Sequence, residues 1–383
     1  MNQTIYDKYS EVCIHVPHIL MPNKNINMQK YSCIACDQFS NNKKYWDDVD
    51  KFVGDNISTK NLIIPEARLK EGDKLINKVN DTMNDYIGTN VFDTLERSFV
   101  YVRRKTYTGI RRGLVVAFDL KNYDFNIGSK SLIRATEKTV IERLPLRIKI
   151  RENASLDLPH IMVLIDDKKN LLFSYLKNFD NEKTIYDFDL MMGGGNIKGV
   201  QINGEEKFNE ILNILLTLKS KARDNLLYAI GDGNHSLAAA KTIFENTGRS
   251  RFALVEIVNI YDEGLGFFPI HRLIENVDKE NFFKETNIKI DYDGYSVDDV
   301  ESLTPIIDDY VEKHKNVTIE YMHDENECRK LDKEKDKIGI VFRDFKRDTL
   351  FDTVINKGSM ARKSFSMGEA RDKRYYLEAM CII

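Results

Sequence analysis

The feature that most narrows what this chain can fold into is a junction a little past its middle. A short apolar run, Leu226 to Ile230 (LLYAI), meets Gly231-Asp232-Gly233-Asn234-His235-Ser236, and an alanine-rich stretch, Leu237 to Asn246 (LAAAKTIFEN), follows. An apolar run of that length suits a buried strand, and alanine is the best helix former, so the string reads as strand, turn, helix. Gly231 and Gly233 permit positive φ and close approach of a ligand to the backbone. Asp232 or Asn234 can cap the helix. The first helical N–H groups lack intrahelical partners and the helix dipole is positive there, which suits a phosphate or carboxylate. Asp232 can act as a base or hold a metal ion, and His235 can donate to an anion or carry a proton. The competing reading is structural: Asp caps, Gly turns, His packs. The string is neither the longer Walker pattern nor GxGxxG.

Around this junction, strand and helix signals are interspersed. Helical spacing predicts helices over Tyr45–Val53, over residues 66–87 (Leu69, Leu75, Ile76, Val79, Met83) and over Glu205–Lys221 (Phe208, Ile211, Leu212, Leu215, Leu218). Strand signals cover Ser98–Arg103, Gly113–Leu120, Ile161–Ile165, Phe252–Ile260 and Phe267–Leu273. A helix near Val297–His314 and strands near Val317–Met322 and Ile338–Phe342 follow. Residues 132–150 mix both characters, with Pro145 set to break any helix. This mixture favours an α/β (mixed α+β) fold, a mixed sheet with flanking helices. At 383 residues two domains are expected, placed at 1–224 and 225–383 with the boundary in the polar stretch before Leu226.

Composition excludes several classes. Hydrophobic residues make up 42% and charged residues 31%, the balance of an ordinary globular protein. The formal net charge of −3 disfavours general polyanion binding. No apolar run approaches the roughly 18 residues of a membrane span, and the amino terminus does not read as a signal peptide. Five cysteines, an odd number, do not suggest a disulfide framework. A cytoplasmic protein without membrane or nucleic-acid partners is expected, acting on a small molecule, with a homo-oligomer left open.

Strings spread from end to end carry a resemblance. They include ACDQFS at 35–40, LIIPEARL at 62–69, RRGLVVAFDLKNYDF at 111–125, LIRATEKTV at 132–140 and PHIMVLIDD at 159–167. They continue with MGGGNIKG at 192–199, YAIGDGNHSLAAAK at 228–241, PIHRLI at 269–274 and RKSFSMGEARDKRYYLEA at 362–379. The chain resembles the domain of unknown function 1015 family, in the form common in firmicutes. Its turn is also similar to the DGxHR-type turn of free-serine kinases in the ParB/sulfiredoxin superfamily, where the turn opens a helix and handles nucleotide phosphate. Ser236 stands where that turn has Arg, so the chain departs from the pattern at the phosphate contact such an Arg makes. The resemblance implies a ParB/sulfiredoxin-like strand–turn–helix element and phosphoryl chemistry on serine or phosphoserine, with Mg²⁺ and ATP or ADP as cofactors.

Other constellations carry two readings each. The span that holds Arg134, Glu137, Arg143, Arg147 and Arg151 concentrates positive charge, and its arginines can neutralise phosphate or form a solvated face paired with Glu142 and Glu152. The family strings raise Arg134 and Glu137 above the rest. His160 and Asp166-Asp167 bracket a buried strand, and the Asp pair can hold Mg²⁺ or simply open the turn DDKKN. Gly194, in the triplet Gly193-Gly194-Gly195, can wrap a phosphate or sit in a flexible loop. His271-Arg272 can contact an anion or be structural. Cys33 and Cys36 have metal or redox spacing but no completing ligands, so the structural reading leads. The basic and aromatic segment Ala361 to Arg374, with Lys363, Lys373 and then Tyr375-Tyr376, can be a nucleic-acid surface, a lid over phosphate or a docked tail.

The leading expectation is a phosphotransferase: a nucleotide-dependent serine kinase, or a phosphatase of phosphoserine. Asp232, His235 and Glu137 would be catalytic. Gly231, Gly233, Asn234, Ser236, Arg134, His160, Gly194, His271, Arg272 and Lys363 would bind substrate or phosphate, with Asp166 and Asp167 as metal ligands. The alternatives are a non-catalytic amino-acid or nucleotide sensor and a ParB-like nucleic-acid-binding protein.

Overall fold

The computed structural model describes residues 4–40 and 42–382. The chain forms two compact units, Met1–Leu265 with Glu369–Ile383, and Gly266–Gly368. The boundary expected near residue 224 falls inside the first unit, and the second unit is an insertion. The chain leaves the first unit at Leu265 and returns at Glu369.

A ten-stranded mixed sheet is the frame of the first unit. Its strands in chain order are β1 (Ile14–His15), β2 (Phe99–Lys105), β3 (Ile110–Asp119), β4 (Tyr123–Asp124), β5 (Ile133–Ala135), β6 (Met162–Ile165), β7 (Thr184–Asp189), β8 (Asn196–Ile202), β9 (Tyr228–Asp232) and β10 (Phe252–Asn259). Across the sheet they run β7-β8-β2-β3-β10-β6-β9-β5-β4, with β1 paired to β3. The pairs β4–β5, β5–β9 and β6–β10 are parallel, while β6–β9 is antiparallel. The expected mixed sheet with flanking helices is thus the observed fold.

Strand periodicity explains why Gly113 to Leu120 reads as continuous apolar sequence. Leu114, Val116 and Phe118 belong to the core of one face, with Phe208, Ile211 and Leu215 of the helix Glu205–Lys221. Val115 and Ala117 belong to the core of the other, with Trp46 and Val49 of the helix Lys43–Val53. A strand covered on both faces needs apolar residues at every position.

Two local expectations are corrected. The helix expected over 66–87 is interrupted at Gly72 (φ 71°), leaving a 3₁₀ segment Glu66–Glu71 and an α-helix Asp73–Gly88. Pro145 does not break a helix; it lies in the first turn of one, Leu144–Arg151, where its missing N–H has no intrahelical acceptor to lose. Among the described residues no helix is long and apolar enough to cross a membrane.

The second unit holds a three-stranded antiparallel sheet, with His271–Glu275 between Thr318–Met322 and Lys337–Ile340. Its strand pair Phe267–Pro269 and Phe365–Met367 joins the two ends of the insertion.

Candidate active site

The junction at 231–236 forms at the carboxyl end of β9, and two neighbouring strands bring their own ends to it. Because β5 is parallel to β9, with Ala135 opposite Ile230, the loop after β5 lies beside the turn. Because β6 is antiparallel, with Met162 opposite Asp232, the residues before β6 lie on its other side. The strings at 132–140, 159–167 and 228–241, far apart in sequence, therefore meet at one sheet end.

Gly231 and Gly233 serve different purposes. Gly231 is extended. It is the extra residue of a β-bulge, since Ile230 faces Val163 and Asp232 faces the very next partner, Met162. A bulge of this kind re-aims the side chain that follows it, here Asp232. Gly233 carries the positive φ, at 86°, and a Cβ there would lie 2.8 Å from Ile161 Cγ1. Gly233→Ala should therefore destabilise the protein by about 1–2 kcal/mol from the left-handed backbone alone, with the clash in addition. A melting curve superimposable on wild type would show that the turn tolerates a side chain.

The helix Asn234–Thr247 then begins without a side-chain cap at Gly233. Asn234 does not cap. It is buried and bridges to the β5 loop, its Oδ1 accepting the Thr136 N–H at 3.2 Å, while Thr136 Oγ1 donates to the Ile230 carbonyl at 2.6 Å. His235 faces the same loop, where its Nε2 accepts the Val140 N–H at 3.2 Å. That nitrogen holds the loop instead of donating to an anion. Glu137 sits half-buried between these two anchor points, beside the turn.

Asp232 accepts the Gly233 N–H at Oδ1, 3.0 Å, and pairs through Oδ2 with Lys373 Nζ at 3.1 Å. Lys373 is largely buried, at 8% exposure, so the pair is sheltered from water. On the other side of the turn, Ser236 Oγ lies 2.9 Å from His160 Nε2, and His160 Nδ1 lies 3.2 Å from Tyr376 Oη. Lys373 and Tyr376 come from the returning segment after Glu369. Neither was singled out as a site residue, although the basic and aromatic segment was; the signal is the string RDKRYY, three cations followed by two tyrosines.

The same segment is locked by a buried ionic cluster. Arg374 pairs with Glu256 at 2.5 Å and with Glu378, Arg111 lies 3.4 Å from Glu256, and Glu378 accepts from the Tyr186 hydroxyl at 2.6 Å. Burial pushes the Glu256 carboxyl up, but Arg111 and Arg374 outweigh it and hold it below the usual carboxylate range. Gly113 is required beneath it, since a Cβ there would lie 2.2 Å from Glu256 Oε1. Of the three readings of the basic segment, a docked tail is what the residues after Glu369 form. Arg374 pairs with Glu256 and Lys373 with Asp232.

Several expected site residues lie elsewhere. The Arg134 guanidinium reaches the carboxylate and carbonyl of Asp224, on the amino side of β9, away from the turn. Arg147 pairs with Glu66 and Arg151 with Asp157, which are not the carboxylates their sequence neighbourhood suggested. The side chain of Arg143 lies outside the described residues. Asp166 and Asp167 follow β6 at the end opposite Asp232. Asp167 is buried and its Oδ2 accepts the Leu172 N–H at 2.9 Å, so the pair opens a turn into the helix Leu171–Leu176 and is not a metal site beside the turn. No cluster of three or more His, Cys, Asp or Glu suited to a metal ion occurs among the described residues.

Gly194 is held by structure: its carbonyl accepts from Arg104, its N–H donates to Met191, and a Cβ would lie 2.5 Å from the Tyr375 hydroxyl oxygen. The triplet is a packed corner with neither its carbonyl nor its N–H at Gly194 left for a phosphate. His271, Arg272 and Lys363 belong to the second unit. His271 Nδ1 accepts the Phe342 N–H at 3.2 Å, and burial lowers its pKa to about 4, so it is a neutral core histidine. Arg272 is fully buried and donates to Ile270 and Arg362 carbonyls and to Thr304, while Lys363 is exposed. Cys33 and Cys36 are free thiols, each pushed up to about 12 by burial.

A family model described as protein of unknown function (DUF1015) matches residues 20–366. The chain belongs to this family. No curated protein matches it. Among solved structures, a conserved hypothetical protein from Pyrococcus furiosus is similar at 10% identity and a TM-score of 0.35, covering 66% of this chain and 90% of that one. A free serine kinase in complex with AMP is similar at 10% identity and a TM-score of 0.38, covering 69% and 90%. A variant of free serine kinase in complex with ADP is similar at 9% identity and a TM-score of 0.39, covering 69% and 91%. For this DUF1015 member, these structural likenesses are distant.

Proposed function

We propose that this DUF1015 protein is a small-molecule phosphotransferase, acting on serine or phosphoserine with a nucleotide as phosphoryl partner. The observation that carries the reading is the convergence of Asp232, Lys373 and the helix start after Gly233 at one sheet end. Phosphoryl transfer requires positioning and charge stabilisation more than covalent chemistry from the protein, so an anion-binding helix start, a cation and a carboxylate form a sufficient set. In this reading the phosphate lies at the first turn of the Asn234–Thr247 helix, with Lys373 as its cation. Lys373 would then exchange the Asp232 carboxylate for phosphate oxygens. Asp232, so released, takes the proton of the attacking hydroxyl.

The donor set fits Mg²⁺ only through the phosphates. Asp232 has its carboxylate at the turn and Glu137 belongs to the β5 loop that lies beside it, and Mg²⁺ commonly binds one or two carboxylates with substrate oxygens and waters. The ion would supply charge neutralisation on the phosphate. Serine as the substrate, and ATP or ADP as its partner, rest on the turn's resemblance to free-serine kinases.

The test is ³¹P NMR of the full chain with L-serine, Mg²⁺ and ATP or ADP, and in parallel with phosphoserine, alone and with AMP or ADP. Phosphoserine should form or be consumed. No change in any mixture would remove serine as the substrate, and saturable binding of serine or nucleotide without product would leave a sensor in its place.

A further inference from the structure

The phosphotransfer reading leaves one constellation unused. Ser236, His160, Tyr376 and Cys36 form a continuous hydrogen-bonded line beside the turn. Ser236 Oγ is 2.9 Å from His160 Nε2, His160 Nδ1 is 3.2 Å from Tyr376 Oη, and Tyr376 Oη accepts the Cys36 N–H at 3.2 Å. The two ends differ in burial. Tyr376 is 2% exposed, whereas Ser236 and His160 are half-buried, so a ligand can approach the serine but not the tyrosine.

Tyr376 Oη accepts the Cys36 N–H, and its remaining hydrogen-bonding capacity faces His160 Nδ1. A base at this position requires the tautomer with the proton on Nδ1, donated to the Tyr376 oxygen, so that Nε2 faces the Ser236 hydroxyl as an acceptor. A nucleophile bonded to a base, the base oriented by a third group, is the arrangement that activates serine for covalent catalysis. Ser236 also lies in the first turn of its helix, where the proposed phosphate would sit.

We propose that Ser236 is the nucleophile of this site and His160 its general base, so that the phosphoryl group passes through a phosphoserine formed on Ser236. The proposal rests on the phosphotransfer reading for its substrate. In the first step the Ser236 Oγ–P bond forms and the P–O bond to the nucleotide breaks. The electron pair stays on the nucleotide oxygen, and the Ser236 proton moves to His160 Nε2. In the second step the hydroxyl oxygen of free serine attacks the same phosphorus. The Ser236 Oγ–P bond breaks, Ser236 recovers its proton from His160, and the proton of the incoming hydroxyl passes to Asp232 and on to solvent. Tyr376 and Cys36 are positioning residues. Ser236 thus takes a covalent role at the position where the related turn has Arg.

The test separates the nucleophile from its substrate. A fluorophosphonate phosphonylates an activated serine with loss of fluoride and needs no natural substrate. The full-length wild type should be labelled at Ser236, located by peptide mass spectrometry. Ser236→Ala should abolish the label. His160→Asn should slow it by at least about a hundredfold, the usual contribution of a general base, with an unchanged melting temperature confirming the fold. The ¹⁵N shifts of His160 should report the Nδ1–H form in wild type and a mixture of tautomers in Tyr376→Phe, which a merely packed tyrosine would not alter. With nucleotide and no free serine, phosphate should appear on the Ser236 peptide. An unlabelled wild type, or undiminished labelling of Ser236→Ala, overturns the nucleophile whatever ³¹P NMR gives. Turnover by ³¹P NMR with no phosphate ever found on Ser236 overturns the covalent step alone. Labelling at Ser236 with silent ³¹P spectra upholds the nucleophile and removes serine phosphotransfer.

Discussion

If the protein transfers phosphoryl groups as proposed, Asp232→Asn should lower turnover by about a hundred- to ten-thousand-fold, the range that a positioned proton acceptor supplies, while the melting temperature stays within a few degrees of wild type. The reason the two effects separate is local. Asparagine retains an Oδ1 to accept the Gly233 N–H and keeps the side-chain volume above the bulge. What it loses is the negative charge opposite Lys373, a pair whose side chains are 10% and 22% exposed, sheltered but not sealed. The activity loss is read from ³¹P progress curves and the stability from thermal melts. Full activity with a large drop in melting temperature would return Asp232 to a capping role.

The larger effect on stability belongs to Glu256→Gln. Glu256 is fully buried among the guanidiniums of Arg374 and Arg111, and glutamine fills the same space without the charge. Removing one member of a buried ionic cluster leaves the others uncompensated, at a loss of about 3–5 kcal/mol. Urea unfolding followed by circular dichroism measures it, and a loss below about 1 kcal/mol would mean that water or neighbours compensate the arginines. The pH dependence has a definite sign. The folded carboxyl titrates below its ordinary value of 4.5, so its contribution is present above that pH and is lost as the pH falls through the folded value. Wild type should therefore lose stability on acidification in that window, and Glu256→Gln should lose less.

Much of the frame was legible in the sequence because periodicity survives without tertiary context. The helix Glu205–Lys221 occupies the residues its apolar spacing predicted, and the run through Val115 and Val116 marks a strand covered on both faces. The junction at 231–236 was legible for the same reason, since glycine, aspartate and an alanine helix are local signals. Partners were not legible. Arg134 looks like a phosphate ligand until its guanidinium is seen on Asp224, a choice set by strand pairing across about ninety residues of chain. Gly231 and Gly233 look alike in sequence, yet only the register of β9 against β6 makes one a bulge and the other a left-handed turn. Lys373 and Tyr376 were legible only as part of a basic and aromatic segment with three readings, because an inserted unit separates them from the strands they serve. The Asp166-Asp167 pair misled because strand direction, which composition does not carry, decides at which sheet end a carboxylate emerges.

The insertion has a temporal side. A ribosome delivers residues in order, and the junction with its bulge, helix and half-buried serine is complete well before Gly266 is added. Lys373 and Tyr376 follow only after the whole of Gly266–Gly368 has been made. Until then Asp232 has no counter-cation and His160 no neighbour to settle its proton. The newborn polypeptide thus carries an unfinished rim until the residues after Glu369 are made and Arg374 finds Glu256.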